Sequence, residues 1–469
     1  MDSKTLFAKT PPVKLFFIAA MPGAVSMLAS ALYGLLDGLF VGQFVGSTAF
    51  AALNLAMPFV IINFSLADLI GVGSAVPISI ALGRKDDQEA NNIFTCACLL
   101  IVGTGAAIGT VLYLAAPALI AMMGAEGDFA AQAVQYLRVY CVASPVTTMV
   151  FAADNFLRIC GYIRGSMALN IFMSAFSAGL EFLFLGVFRW GIWAAALATC
   201  GSMFVCALLA LIPFFRGRAQ LRFCRPRFRA AMLWQIVACG APNFLNNLAG
   251  RITSILMNAL LVRLGGENAV SIYGILMYVD GFIQPLLYGM CDSLQPAVGF
   301  NWGAGKYSRV RAIEKCCFTA SAIVSALSIG VILLLPAQIT RIFVASPSPE
   351  VLAASVGALQ LFALTYITRW FSFATQSYML AVEKPLPASL ISVATALVFP
   401  VLLIAALWPL GLTGIWLNFA GTALLAAVLS LAILVKMRPQ LSRPDTPASD
   451  TPASDTPASD TPAPEPQEP

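Results

Sequence analysis

The chain of 469 residues contains no histidine. Without an imidazole, a Ser-His-Asp triad and a histidine-ligated metal site are both excluded. Charged side chains are also scarce, at 10% of the sequence, whereas hydrophobic residues make up 59%. Soluble domains carry roughly 25% charged residues. So few charges cannot give the apolar mass a surface that water tolerates, and lipid must therefore be the solvent for most of this chain.

Motifs for soluble chemistry are missing as well. The sequence has no Walker A motif for ATP, and its 11 cysteines include no Cys-x-x-Cys pair. Gly71-Val72-Gly73 follows no strand, so it does not read as a nucleotide loop. With no clustered polar motif, we predict that the chain is not an enzyme, holds no metal or cofactor and binds no nucleic acid.

Long apolar runs are what the sequence has in abundance. Twelve segments reach or exceed the ~20 residues that a helix needs to cross a bilayer. We take the first as helix 1 and not as a signal peptide, because no small-residue cleavage site follows it. The predicted spans are 13–42, 49–82, 92–123, 131–156, 164–187, 191–214, 233–264, 269–300, 313–344, 352–380, 386–408 and 412–436. We therefore predict an all-α polytopic membrane protein with twelve transmembrane helices.

The two halves of the chain repeat each other. A shift of 220 positions brings Pro22, Gly46, Ala49 and Gly83 onto Pro242, Gly266, Ala269 and Gly303, and a shift of 223 brings Gly191-Ile192-Trp193 onto Gly414-Ile415-Trp416. Such a nearly constant offset indicates duplication. We predict two six-helix lobes, 1–222 and 223–440, with a cleft between them in which substrate is handled. Residues 441–469, rich in Thr-Pro-Ala-Ser-Asp repeats, are predicted to be a disordered cytoplasmic tail.

Loop charges predict the orientation of the chain. Most lysines and arginines fall in the two tails and in alternate loops, whereas the opposite loops carry only Arg189, Arg263 and Arg341. Basic loops stay on the cytoplasmic side of a membrane. Both termini are therefore predicted to be cytoplasmic, in a bacterial inner membrane.

Acids inside the spans are the most informative residues, because a charge at mid-bilayer costs ~2.5–3.5 kcal/mol. Six acids lie there: Asp37, Asp68, Asp154, Glu181, Asp280 and Asp292. Asp37 and Glu181 have apolar neighbours, and burial favours the neutral form of a carboxyl, which suits proton exchange. The alternatives are an interfacial acid for Asp37 and a packing role for Glu181. Asp154 precedes Arg158 by four residues, so a local ion pair is expected there.

Several polar residues are candidates for a substrate cavity. Asp280 and Gln284 share one helix face, and Tyr273 lies on the same helix. An acid beside aromatic rings would suit a lipophilic cation, although such rings more often serve packing or interface anchoring. Asp68 either lines a cavity or bonds a neighbouring helix. The remaining candidates are Asn155 and Ser177.

The chain resembles the multidrug and toxic compound extrusion (MATE) family, in its bacterial multidrug-exporter branch. The motifs that carry the resemblance are Asp37-Gly38-Leu39-Phe40-Val41-Gly42-Gln43, Ala51-Ala52-Leu53-Asn54, Ala81-Leu82-Gly83-Arg84-Lys85 and Gln295-Pro296-Ala297-Val298-Gly299-Phe300-Asn301-Trp302-Gly303-Ala304. The last is the most family-specific. The resemblance covers residues 10 to 437.

The resemblance implies two lobes around a V-shaped cleft, alternating access, and exchange of H⁺ or Na⁺ for lipophilic, often cationic drugs. Asp37 matches the family's key acid in helix 1. The family's Asn-x-x-x-Asp in helix 5 reads Ser177 and Glu181 here, so the acid is kept and the Asn is lost. Sodium-coupled members carry acids in helices 7 and 10, where this chain has Gly250 or Arg251, and Trp370. That difference favours the acids of the first lobe.

Other transport functions stay open. A flippase for a lipid-linked precursor would prefer a basic cavity, and the in-span bases are few: Arg138, Arg251 and Arg369. A narrow-specificity metabolite exporter is a further alternative, and the major facilitator motif is only faintly echoed by Gly83-Arg84-Lys85-Asp86. The leading hypothesis is a monomeric antiporter for lipophilic small molecules.

Overall fold

A computed structural model describes residues 3–343 and 348–446 of the chain. Within these residues every regular element is a helix, as predicted. The long apolar helices are α1 (Pro12–Val45), α2 (Thr48–Gly83), α3 (Asp87–Met122), α4 (Gly127–Ile159), α5 (Ile163–Val187), α6 (Ile192–Phe215), α7 (Ala230–Gly266), α8 (Asn268–Gly303), α9 (Tyr307–Leu334) and α10 (Pro349–Ala381), followed by Pro385–Leu441.

The segment Pro385–Leu441 is two helices. α11 runs through Pro385–Val393, Ala394–Val398 and Phe399–Leu407, and α12 is Gly411–Leu441. Between them Gly411 adopts φ 57° and ψ −133°, a left-handed conformation that interrupts an α-helix. The all-α twelve-helix prediction is confirmed. The predicted tail, apart from its first residues to Thr446, lies outside the described part of the chain.

The predicted end of the ninth span, at residue 344, is wrong. α9 ends at Leu334, and a separate short helix, Pro336–Phe343, follows. Pro336 disfavours the helical conformation in the residue before it, and Leu335 adopts φ −124° and ψ 34°. The second piece, PAQITRIF, is amphipathic, and its apolar residues allowed the predicted span to run past the break.

The helix exteriors are apolar. Leu114, Val142 and Trp234 keep more than 70% of their surface exposed, and Leu386 keeps 81%. A soluble protein would not leave so many large apolar side chains uncovered. The surface therefore matches a lipid environment, as composition indicated.

The duplicated halves share a backbone feature. Gly46 separates α1 from α2 with φ 118°, and Gly266, 220 positions later, separates α7 from α8 with φ 60°. Residues with a Cβ rarely adopt such angles. The next residues of the repeat, Ala49 and Ala269, are both buried. The repeat in the sequence is therefore also a repeat of the backbone.

The two lobes touch closely where α2 and α8 end. A Cβ added to Gly83 would lie 2.1 Å from the carbonyl oxygen of Phe300, and one added to Gly303 would lie 2.2 Å from that of Ile80. Positions 80 and 83 correspond to 300 and 303 in the repeat, so the contact is symmetric. Only glycine allows the backbones to come so near each other.

Both described ends of the chain lie at this contact. The Phe7 carbonyl accepts hydrogen bonds from Asn301 Nδ2 at 3.0 Å and from Arg309 Nε at 2.9 Å. Asp445 accepts hydrogen bonds from the Ser308 hydroxyl and, at 2.7 Å, from the Ser308 amide, and these bonds hold the pKa of Asp445 below its usual range. The lobes are therefore joined at the end that carries both tails and the basic loops.

Candidate functional site

Two acids meet inside the first lobe. Asp37 on α1 is 7% exposed and Glu181 on α5 is fully buried. Their carboxyl groups lie within hydrogen-bonding reach of each other. An ionised carboxylate only accepts hydrogen bonds, so such a bond requires a proton on one of the two. The structure thus brings together the two acids that the sequence singled out for ion coupling.

Hydroxyl groups surround Glu181. The Tyr33 hydroxyl donates to Glu181 Oε1 and lies 2.6 Å from Thr199 Oγ1. Thr199 Oγ1 also donates to Glu181 Oε1, at 3.2 Å. Glu181 Oε2 and Asp37 Oδ1 receive no hydrogen bond from a donor group of the described residues. The pair therefore keeps acceptor oxygens for an added proton or cation.

No base neutralises this acid pair. Among the residues that the structure describes, no Lys or Arg forms an ion pair with Asp37 or Glu181. Each acid also lies just before a π-helical turn, Val41–Val45 and Phe182–Val187 respectively. Such turns occur frequently at functional sites because they redirect side chains and leave the helical ladder locally open.

Ser177 lies next to this network without joining the acids. Its hydroxyl bonds to Ser202 Oγ, and Ser202 donates to the Thr199 carbonyl at 2.9 Å. Ser177 is 1% exposed and lies four residues before Glu181. Its contact with Glu181 is thus indirect, through the helix that carries Thr199.

A second group of acids lines a cavity of about 150 Å³ between the lobes. Asp68 and Asn155 from the first lobe and Asp292 from the second all border it. The expected ion pair is confirmed, since Arg158 Nη2 lies 2.6 Å from Asp154 Oδ2. Arg158 Nη1 also donates to Ser293 Oγ of the second lobe at 3.2 Å. With Arg158 paired to Asp154, the two remaining acids leave this cavity negative.

The second lobe encloses a larger cavity of about 390 Å³. Tyr273, Asp280 and Gln284, all on α8, line it as a group. Asp280 is bound by Arg369, with Nη1–Oδ1 2.8 Å and Nη2–Oδ2 3.3 Å, and the Tyr366 hydroxyl donates to Oδ1 at 2.6 Å. The charge that a lipophilic cation would need is therefore already met by a guanidinium.

Sequence reasoning missed several partners. Tyr33 lies four residues before Asp37 on the same helix face, a spacing that could have found it. Thr199 and Arg369 carry no such signal, because they reach their acids across 18 and 89 positions of the chain. Of the two places that the family resemblance pointed to for sodium coupling, the first holds Gly250 and Arg251, which line the second-lobe cavity. Trp370 instead donates to the Ile367 carbonyl at 2.9 Å.

Comparison with known proteins assigns the chain to a family. The family model MatE matches residues 22–183 and again 242–405, one match in each half of the chain. The multidrug export protein MepA of Staphylococcus aureus is 24% identical over 446 residues, which cover 93% of this chain and 96% of that protein. MepA of Staphylococcus haemolyticus is 22% identical over 440 residues, with the same coverage.

Solved structures show the same fold. An outward-facing multidrug resistance MATE family transporter of the MOP superfamily superposes with a TM-score of 0.88 at 21% identity, covering 94% of this chain and 99% of the other. A MOP superfamily transporter from Pyrococcus furiosus, described as having reversed binding-pocket polarity, gives a TM-score of 0.88 at 21% identity, with coverage of 95% and 99%.

Proposed function

Because this chain belongs to the MatE family, we propose that it is a secondary active antiporter that exports lipophilic, often cationic compounds in exchange for protons. The family match spans both halves, and the curated relatives are multidrug export proteins. Transport, and not catalysis, is the activity that the chain performs in this proposal.

The observation that carries the proposal is the buried contact between Asp37 and Glu181 in the absence of a neighbouring base. Two carboxylates at such a short distance repel each other unless a proton or a cation lies between them. Proton binding to the pair neutralises it, and proton loss restores a negative charge. A group whose charge changes in this way biases two conformations of a helix bundle differently.

In the proposed cycle, the cleft opens alternately to the two sides of the membrane. The close contacts of Gly83 with Phe300 and of Gly303 with Ile80 close the cleft at the end that carries the basic loops. Basic loops favour the cytoplasmic side. We therefore propose that both termini are cytoplasmic, that the described conformation is closed toward the cytoplasm, and that protons reach the acid pair from the other side of a bacterial inner membrane. A monomer suffices for this cycle.

The cavity between the lobes is the proposed path of the cargo. Asp68 and Asp292 face it without an ion-pair partner among the described residues. Unpaired carboxylates attract a cation in surroundings of low polarity. A lipophilic cation thus fits this cavity better than an anionic lipid intermediate does, and a flippase is the weaker candidate. Na⁺ is the alternative coupling ion.

The test is efflux of ethidium from proteoliposomes that contain the full chain, with a pH gradient or a Na⁺ gradient imposed separately. We expect the pH gradient to drive transport and the Na⁺ gradient to have no effect. Asp37→Asn removes one titrating group and should abolish the gradient-driven component. Asp128→Asn is the matched control, because Asp128 is an exposed acid in the first turn of α4.

Three results would contradict the proposal. Full transport by Asp37→Asn would remove the acid pair from the mechanism. Drive by Na⁺ alone would change the coupling ion. Absence of ethidium efflux with either gradient would favour a lipid-linked substrate or a narrow metabolite.

A further inference from the structure

We propose that the second-lobe cavity is a separate ligand site for aromatic compounds that carry a carboxylate, with Arg251 and Arg369 binding the carboxylate group. This inference goes beyond the proposed export of cations. Binding at this site requires neither the acid pair nor an ion gradient.

The charge of the cavity is the first argument. Its charged lining residues are Arg251, Asp280 and Arg369, which sum to one net positive charge. Asp280 is committed to Arg369, and no carboxylate of the described residues forms an ion pair with Arg251. Arg251 is exposed, so its guanidinium is free to meet an anionic ligand that enters the cavity.

The geometry of Arg369 is the second argument. A guanidinium has five N–H donors. In the described residues, Arg369 uses Nη1 and Nη2 for Asp280 and makes no other hydrogen bond. Its side chain is 25% exposed, and the residue lines the cavity. The donors that remain can bind a second carboxylate, because arginine forms planar paired contacts with such groups.

The rest of the lining supplies matching groups. Thr365 and Thr395 border the cavity, and the Oγ1 atom of each is buried without a hydrogen-bond partner in the described chain. The two threonines make the wall of the cavity partly polar. Tyr273 stacks on Phe419 with ring centroids 6.2 Å apart, which offers an aromatic wall. The volume of about 390 Å³ falls in the range of small-molecule sites.

A purely structural ion pair explains less of this arrangement. It would account for Asp280, Arg369 and Tyr366. It would leave Arg251, which lines the same cavity, without a carboxylate partner among the described residues. A carboxylate-bearing ligand would supply a negative charge for Arg251 and acceptor oxygens for the remaining donors of Arg369.

The test is binding of 9-anthracenecarboxylate, a fluorescent aromatic carboxylate, to the purified full chain in detergent without any gradient. Its neutral amide, 9-anthracenecarboxamide, is the matched probe. The expected outcome is that Arg251→Gln weakens binding of the anion about tenfold, the size of one charge-assisted hydrogen bond. Binding of the amide should stay unchanged. Arg263→Gln is the matched control, because Arg263 is exposed on the same helix and does not line the cavity.

A second variant gives the opposite sign. Asp280→Asn removes the charge that competes for Arg369, so the anion should bind more tightly than to wild type, while the amide again does not change. Equal affinities of anion and amide for wild type, or an unchanged anion affinity in Arg251→Gln, would overturn the inference. Because no gradient is used, failure of the antiport proposal would leave these binding results intact.

Discussion

The two lobes are copies of one six-helix design with opposite electrostatics. In the first lobe, Asp37 and Glu181 lie within hydrogen-bonding reach of each other, two hydroxyls bond to Glu181, and no base of the described residues forms an ion pair with either acid. In the second lobe, Asp280 is held by Arg369 at 2.8 Å. Arg369 gives Asp280 a fixed positive partner, whereas the charge of a carboxyl pair without a base changes when a proton or a cation binds or leaves. In the proposed mechanism, the first lobe therefore responds to the ion gradient and the second lobe does not.

The repeat locates this divergence in the sequence. With the offset of 220, Asp37 corresponds to Met257, and with 223, Glu181 corresponds to Ile404. In the other direction, Asp280 corresponds to Val60. Met257 and Val60 are each 2% exposed and Ile404 is partly buried, so each acid of one lobe is replaced by an apolar residue in the other. The lobes therefore differ by substitution at equivalent places and not by a change of fold.

The largest expected effect comes from removing the acid pair. If Asp37 and Glu181 act as one unit, then Asp37→Asn, Glu181→Gln and the double variant should all lose pH-driven ethidium efflux to the level of protein-free liposomes. Residues that act together are not additive. Proteoliposome efflux measures this directly, and two single variants with partial and independent losses would show that the acids work separately.

Breaking the ion pair of the second lobe should cost stability instead. Arg369→Gln leaves Asp280 charged in a half-closed cavity, which should lower the free energy of unfolding by about 3 kcal/mol. The double variant Asp280→Asn/Arg369→Gln removes both charges and should recover most of that loss. Thermal unfolding in detergent is the measurement. If the double variant were as unstable as Arg369→Gln, Arg369 would not stabilise the protein through its ion pair with Asp280.

The contact between the lobes provides a smaller effect. Gly83→Ala puts a methyl group 2.1 Å from the Phe300 carbonyl, so the lobes must separate there. Overpacking costs about 1–3 kcal/mol, which should shift the population away from the described conformation. Distances between spin labels on the two lobes can report that shift. Gly201→Ala is the control, because a Cβ there meets nothing within 4 Å, and equal distances in both variants would contradict the prediction.

The smallest effect is expected at Tyr33. Tyr33→Phe removes the hydroxyl that donates to Glu181 but leaves both carboxyls in place. One hydrogen bond is worth about 1 kcal/mol, so ethidium efflux at limiting gradient should fall roughly fivefold. If efflux were lost as completely as in Glu181→Gln, Tyr33 would instead belong to the group of residues that exchanges the proton.

Hydropathy predicted the helices well because each span must satisfy its own backbone in lipid. The first predicted span, 13–42, compares with Pro12–Val45, and the last, 412–436, with Gly411–Leu441. The ninth failed at Pro336, where the backbone breaks between an apolar helix and a short amphipathic one. Sequence patterns describe the lipid-facing surface better than they describe local breaks.

The candidate sites were predictable only in part. Asp37 and Glu181 stood out because acids in apolar helices are rare and because the family motif includes them. The charge of the second-lobe cavity was not predictable, since Asp280 and Arg369 are joined only by the folding of α8 against α10. The sequence shows that Arg369 is a base within a predicted span, but it does not show which acid Arg369 binds. Pairing between distant helices is information that a single sequence does not hold.

Proton release on substrate binding tests the central claim most directly. Tetraphenylphosphonium, a lipophilic cation, would be added to the purified chain in weakly buffered detergent solution while the pH is recorded. The account predicts that wild type and Asp280→Asn/Arg369→Gln release protons as the cation binds, whereas Asp37→Asn/Glu181→Gln releases none. Equal release from the acid-pair double variant, or cation binding to wild type without any release, would contradict the account.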